Sequence, residues 1–117
     1  LEIKGTQNLR DFIHVEDVAT ALTKLIFTPT SNIQIVNVTT GKGTSIEEIL
    51  SLLSRTAGQP IPHVRIPESG NISSIIGDNK KLLRLTGFAP MYTLEDGLSK
   101  TYAQFQAWYN RYAQYGN

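Results

Sequence analysis

Residues 33–38, IQIVNV, constrain this chain most. They form a nearly continuous apolar run with turn-forming segments on either side. An apolar run this short reads as a buried strand. A glycine-bearing loop follows at residues 39–44, and then Ser45 with Glu48 three residues later, a capping box that opens a helix. Ile46, Ile49, Leu50 and Leu53 are the buried stripe of that helix, and Gly58 ends it. Strand, glycine loop and capped helix in succession commit the chain to an α/β fold.

The alternation extends to both sides. Residues 1–5 read as a strand already under way with no start signal, the expectation for a piece of a longer protein. Residues 10–15 read as a second strand. Glu16 and Asp17 then put acid where a helix macrodipole favours it, and Val18, Leu22, Leu25 and Ile26 carry that helix to about Phe27. Residues 60–67 hold a short edge strand with Val64 and Ile66 on one face and Arg65 on the other. Residues 68–77 read as a loop; Asp78 caps a short helix carrying Leu82, Leu83 and Leu85, which Gly87 stops. Thr93 caps a long last helix, locally weakened by Gly97, whose one face is Leu94, Leu98, Thr101, Phe105, Trp108 and Tyr112. The predicted order is β-α-β-α-β-α-α, one small α/β domain over residues 1–117 with few strands and about four helices.

Composition narrows the function. A chain that is 40% hydrophobic and 18% charged is not expected to be disordered. A net charge of +1 offers no footprint for nucleic acid or an anionic membrane. No stretch is apolar for long enough to span a bilayer. The chain has no cysteine, which excludes disulfides and thiolate metal sites and fits a cytoplasmic setting. His14 and His63 have no ligand spacing around them, so no metal site is expected.

Four motifs could carry chemistry. The loop at 39–44 could cradle phosphate on its N–H groups, but it lacks both nucleotide-loop spacings. A tight turn with Gly41 and Gly43 in unusual dihedrals is the better reading, although Lys42 could face a ligand. His14 has the pKa of a general base, yet no nucleophile stands near it in sequence, and a packed or hydrogen-bonded strand histidine is preferred. Aromatic residues of the last helix could stack on bases or sugars; Phe105 and Trp108 are better read as core, and Tyr109 and Tyr115 as exposed. Arg10 could clamp a phosphate with two parallel hydrogen bonds or pair with Asp11, Glu16 or Asp17, and local spacing leaves both open.

Four ordered segments, RDFIHVEDVATAL, IVNVTTGKGTSIEEI, GDNKKLLRLTGFAP and TLEDGLSKTYAQFQAW, resemble those of extended short-chain dehydrogenase/reductases, the NAD-dependent nucleotide-sugar epimerases and dehydratases. The resemblance covers almost the whole chain but only the C-terminal part of such enzymes. It implies a substrate-binding portion that packs against an N-terminal Rossmann domain absent from this sequence. The family's glycine fingerprint is missing, and neither Tyr102 nor Tyr109 has a lysine four residues on. No catalytic or cofactor-binding residue is therefore expected here. NAD would belong to the parent enzyme, and the fragment alone would bind none, be inactive and be monomeric.

By the same resemblance Arg10 matches the arginine that contacts the substrate diphosphate. A second family arginine falls at Glu68, with Asn71 at the position of a following acid, so a repelling charge replaces an attracting one unless Arg65 substitutes. The expected ligand is a nucleotide-diphosphate sugar held by Arg10 and Arg65. The alternative is a non-catalytic, epimerase-like binding or scaffold module.

Overall fold

The computed structural model describes residues 1–67 and 72–113. Its elements are β1 (Glu2–Lys4), β2 (Leu9–Asp11), α1 (Val15–Ile26), β3 (Gly43–Ser45), α2 (Ile46–Ala57), β4 (Val64–Ile66), β5 (Ser74–Ile75), α3 (Lys80–Thr86) and α4 (Leu94–Tyr112). Four helices and a few very short strands make the small α/β fold that the sequence predicts.

The helices end where local chemistry says they should. Ser45 accepts the Glu48 amide at 3.1 Å and opens α2; Gly58, at φ +67°, closes it. Thr93 accepts the Asp96 amide at 3.1 Å and opens α4. Gly87, at φ +64°, closes α3. Asn79, rather than Asp78, occupies the cap position of α3 and makes no side-chain cap bond. Asp78 still accepts the Lys80 amide at 2.8 Å, so its carboxylate serves the same helix end from one residue further back.

The strands form two small sheets. β1 and β4 pair in parallel, Ile3 opposite Arg65, so β4 lies at an edge as its prolines require. β2 is the centre of the other sheet, antiparallel to β3, with Arg10 opposite Thr44, and parallel to β5, with Arg10 opposite Ile75. β3 and β5 arise from segments that read as loops. β2 is shorter than expected, because Val15 already begins α1 and His14 is its N-cap.

Residues 33–38 form no strand. Val36 and Val38 pack on the core, and Ile33 and Ile35 face outward at 97% and 84% exposure. Lys81 Nζ holds the Ile35 carbonyl at 2.7 Å. A run becomes a strand only by pairing, and none of the described strands pairs with this one. The core is correspondingly small: Ala21, Leu82 and Phe88, with Leu25, Val36 and Val38 partly buried against them, while Leu50 and Leu52 are buried on α2.

The last helix corrects a second expectation. Phe105 and Trp108 are exposed, at 60% and 56%, and are not core. α4 packs on α2 through its first turns, where Leu94 and Leu98 are half-buried, and every described residue from 103 onward is exposed. The helical stripe is real, but its second half projects past the body it should cover. Tyr109 is exposed as expected; Tyr115, Glu68 and Asn71 lie outside the described residues.

Candidate functional site

The segment from Arg10 to Asp17 runs from the central strand of the second sheet into the first turn of α1, and its charged side chains diverge. Each acid is committed to a distant piece of backbone or side chain. The Asp11 carboxylate accepts from the Thr39 hydroxyl, from the amide and hydroxyl of Thr40 at 2.9 and 2.6 Å, from the Gly41 amide at 2.8 Å and from the Gly77 amide at 3.3 Å. Burial pushes its carboxyl up, but the hydrogen bonds from Thr39, Thr40 and Gly41 outweigh this and hold it below the usual range. Asp17 is completely buried and accepts the Met91 and Tyr92 amides at 3.0 and 3.1 Å. Glu16 accepts from the Tyr92 hydroxyl at 2.6 Å and from Lys100 at 2.7 Å. Those two hydrogen bonds, Lys100 first, lower the Glu16 carboxyl, and the hydrogen bonds of Lys100 to Glu16 and to the Tyr92 hydroxyl raise its ammonium.

Asp11 also decides what the glycine loop can do. The Thr40 and Gly41 amides, which would have to face a phosphate, already point at its carboxylate. Gly41 takes the left-handed conformation, φ +77°, as a tight turn requires. Gly43 does not. It lies in β3, where an added Cβ would come within 2.4 Å of the Ile76 side chain, so close approach rather than dihedral freedom explains it. A loop satisfied by an internal carboxylate does not fit a dinucleotide pyrophosphate, and no chemistry through NAD is assigned to this chain's residues.

His14 caps α1 through Nδ1, which accepts the Glu16 amide at 3.3 Å. Its ring packs on Tyr92, with centroids 4.3 Å apart, and touches Gly97, where an added Cβ would lie 3.2 Å from Cδ2. Nε2 is buried without a partner. The histidine is a packed, hydrogen-bonded residue, but at a helix start rather than in a strand. It borders a cavity of about 740 Å³, which Lys42, Thr44, Tyr92 and Leu98 also line and which neither Arg10 nor Arg65 reaches.

With the acids occupied, Arg10 makes no ion pair among the described residues. Its Nη1 donates to the Leu9 carbonyl at 2.7 Å and the Ser73 carbonyl at 3.3 Å, and its Nη2 to the Ser73 hydroxyl at 3.0 Å. All three acceptors are neutral, so none of them offsets the guanidinium's charge. Arg65 is placed differently. It stands on β4 in the other sheet and forms an ion pair with Glu47 of α2, whose carboxylate also accepts from Gln7. The two arginines of the sequence reading are thus not brought to one strand or one sheet. Local spacing could not reveal the acids' partners, which lie 28 to 84 residues away. Among the described residues no group of His, Asp and Glu could hold a metal ion, and no helix is long and apolar enough to cross a membrane.

No family model matches the chain. Individual relatives do. A UDP-glucose 4-epimerase of Cyamopsis tetragonoloba is 30% identical over 93 residues, which is 75% of this chain and 26% of the relative. The UDP-glucose 4-epimerase of Halalkalibacterium halodurans is 32% identical over 87 residues, 72% of this chain and 26% of that enzyme. The chain therefore spans about a quarter of the length of the curated relatives it matches. Solved structures agree. The UDP-glucose 4-epimerase of Thermotoga maritima with UDP-glucose superposes with a TM-score of 0.79 at 28% identity, over 92% of this chain and 35% of that one. The enzyme of Stenotrophomonas maltophila, with bound NAD and formylated UDP-arabinopyranose, gives 0.81 at 27% identity, over 95% and 36%.

Proposed function

We propose that this chain, whose sequence and fold match a C-terminal portion of the extended short-chain dehydrogenase/reductases, is the nucleotide-sugar-binding part of an NAD-dependent sugar epimerase or dehydratase. Arg10 is the residue on which the reading rests. A cation on a central strand that, among the described residues, is held by neutral oxygens alone is electrostatically ready for an anion, and a diphosphate supplies one with the geometry to accept two parallel bonds. Arg65 contributes at most from the periphery, since Glu47 already neutralises it.

The chain carries binding and orientation, not the redox step. Oxidation of the sugar carbon and its reversal are chemistry that NAD would supply from the Rossmann part of the parent protein. The chain alone is expected to turn over no nucleotide sugar when NAD is added; measurable turnover by the isolated chain would overturn this division of labour. Calorimetry with UDP on the full-length protein tests Arg10 directly. Arg10→Ala should weaken binding by about tenfold or more, the scale of a charge-assisted bidentate contact. An unchanged dissociation constant removes Arg10 from the site.

Glu68 favours a second reading, a non-catalytic epimerase-like binding or scaffold module, because it sets a negative charge where the resemblance expects an arginine. The protein sequence upstream separates the two. A glycine fingerprint and a Tyr-x-x-x-Lys there support the enzyme, and their absence supports the module. We further propose that the protein works in the cytoplasm and that the isolated chain is a monomer.

A further inference from the structure

Arg10 is useful to a diphosphate only if its guanidinium plane is fixed before the ligand arrives. Among the described residues Arg10 makes three hydrogen bonds, two from Nη1 and one from Nη2, and none from Nε. The Ser73 carbonyl and hydroxyl are taken from the end of the fork that joins the two terminal nitrogens. Nε–H and the second hydrogen of Nη2 lie together on the adjoining edge, the side-on face suited to two parallel bonds with an oxyanion.

Ser73 is itself held independently of this contact. Its amide donates to the Asn8 side chain at 2.8 Å, and its carbonyl accepts the Leu9 amide at 2.9 Å as the parallel pairing of β2 with β5 begins. The serine backbone is thus fixed from both sides by β2 and its preceding turn. Its carbonyl and its hydroxyl both accept from Arg10, and among the described residues the hydroxyl is the one side-chain group hydrogen-bonded to the guanidinium.

We infer that Ser73 is a positioning residue: its hydroxyl and carbonyl lock the plane of Arg10 so that the Nε/Nη2 edge is presented to one phosphate of a nucleoside diphosphate. This rests on the reading of Arg10 as the diphosphate ligand. It goes beyond that reading by naming what orients the arginine and which edge it offers. A guanidinium without the hydroxyl would keep its charge but would have to freeze a rotation on binding, and part of the binding free energy would go to that ordering.

The experiment uses the full-length protein, UDP as the probe, and four forms: unsubstituted, Arg10→Ala, Ser73→Ala and Ser73→Thr. UDP affinity is read by calorimetry, and rotation of the Arg10 terminal nitrogens by nitrogen-15 NMR of the ligand-free protein. Ser73→Ala should weaken UDP binding about three- to tenfold, the range for loss of one hydrogen bond to a charged group. It should also speed Arg10 rotation, and Ser73→Thr, which restores the hydroxyl, should bring both back. The Ser73 backbone bonds do not involve the side chain, so the alanine variant should melt as the unsubstituted protein does.

If Arg10→Ala weakens UDP and Ser73→Ala does not, the role of Ser73 is overturned while the diphosphate reading stands. If Ser73→Ala weakens UDP with Arg10 rotation unchanged and threonine giving no rescue, the positioning role is likewise overturned. If Arg10→Ala leaves UDP affinity unchanged, the diphosphate reading falls and the role of Ser73 with it.

Discussion

Asp11, Glu16 and Asp17 fall within seven residues of one another, yet they stitch the molecule together in three directions. Asp11 gathers the glycine loop and Gly77, Asp17 holds the backbone entering α4, and Glu16 holds Tyr92 and Lys100. The consequences differ with burial. Asp17→Ala would leave two inward-facing amides without acceptors and should cost about 2–4 kcal/mol in urea unfolding, whereas Glu16→Gln, at an exposed pair, should cost much less. Asp11 and Glu16 also set an acid limit. Their folded-state values lie below the ordinary 3.8 and 4.5, so the stability they contribute is complete above those values and is lost as pH falls through the lowered ones. Urea midpoints should therefore hold steady from neutral pH down to about 5 and then fall. Asp11→Asn should lower the neutral plateau and flatten the acid slope; an unchanged slope would mean that Asp11 titrates alike in both states.

Helices and strands were unequally legible for a physical reason. The ends of α2, α3 and α4 depend on Ser45, Gly58, Gly87 and Thr93, and each acts on backbone within a few residues. Strands exist only by pairing, and pairing is remote: β2 needs β5, more than sixty residues on, and β1 needs β4. Hence an apolar run at 33–38 failed to become a strand, while Gly43–Ser45 and Ser74–Ile75, from segments that read as loops, did. Arg10 could be singled out from its residue type and neighbours, but Ser73 could not, because nothing local connects them. Gly97 shows the same limit within a helix. By intrinsic propensity alone, Gly97→Ala should stabilise α4 by about 1 kcal/mol. The new Cβ would instead meet His14 at 3.2 Å, and His14 is backed by the Tyr92 ring. The substitution should lower the melting temperature, and in a His14→Ala background it should raise it. The same sign in both backgrounds would show that the contact does not decide the outcome.

The whole molecule is under-filled. Its radius of gyration is 17.6 Å, against about 13 Å for a compact domain of this length. Among the described residues five apolar side chains form the buried core, while Leu22, Ile26 and Phe27 on and after α1, and Ile33 and Ile35 further on, stand in solvent. Structures that superpose on this chain are nearly three times as long. A fold with so small a core is expected to be marginal by itself, because apolar area removed from water is the main favourable term in folding. Under the proposed function the exposed apolar side chains would seat the rest of the protein, and in the isolated chain they are a liability for association. Ile33→Lys with Ile35→Lys separates these roles. Both side chains are almost fully exposed in this chain, so the pair should leave its unfolding midpoint within about 0.5 kcal/mol. It should also abolish any concentration-dependent association seen by sedimentation. In the full-length protein the same pair should be strongly destabilising, since two lysines would then be buried without partners. A full-length protein that tolerates both lysines would show that this face stays in water, and that the remainder of the protein packs elsewhere.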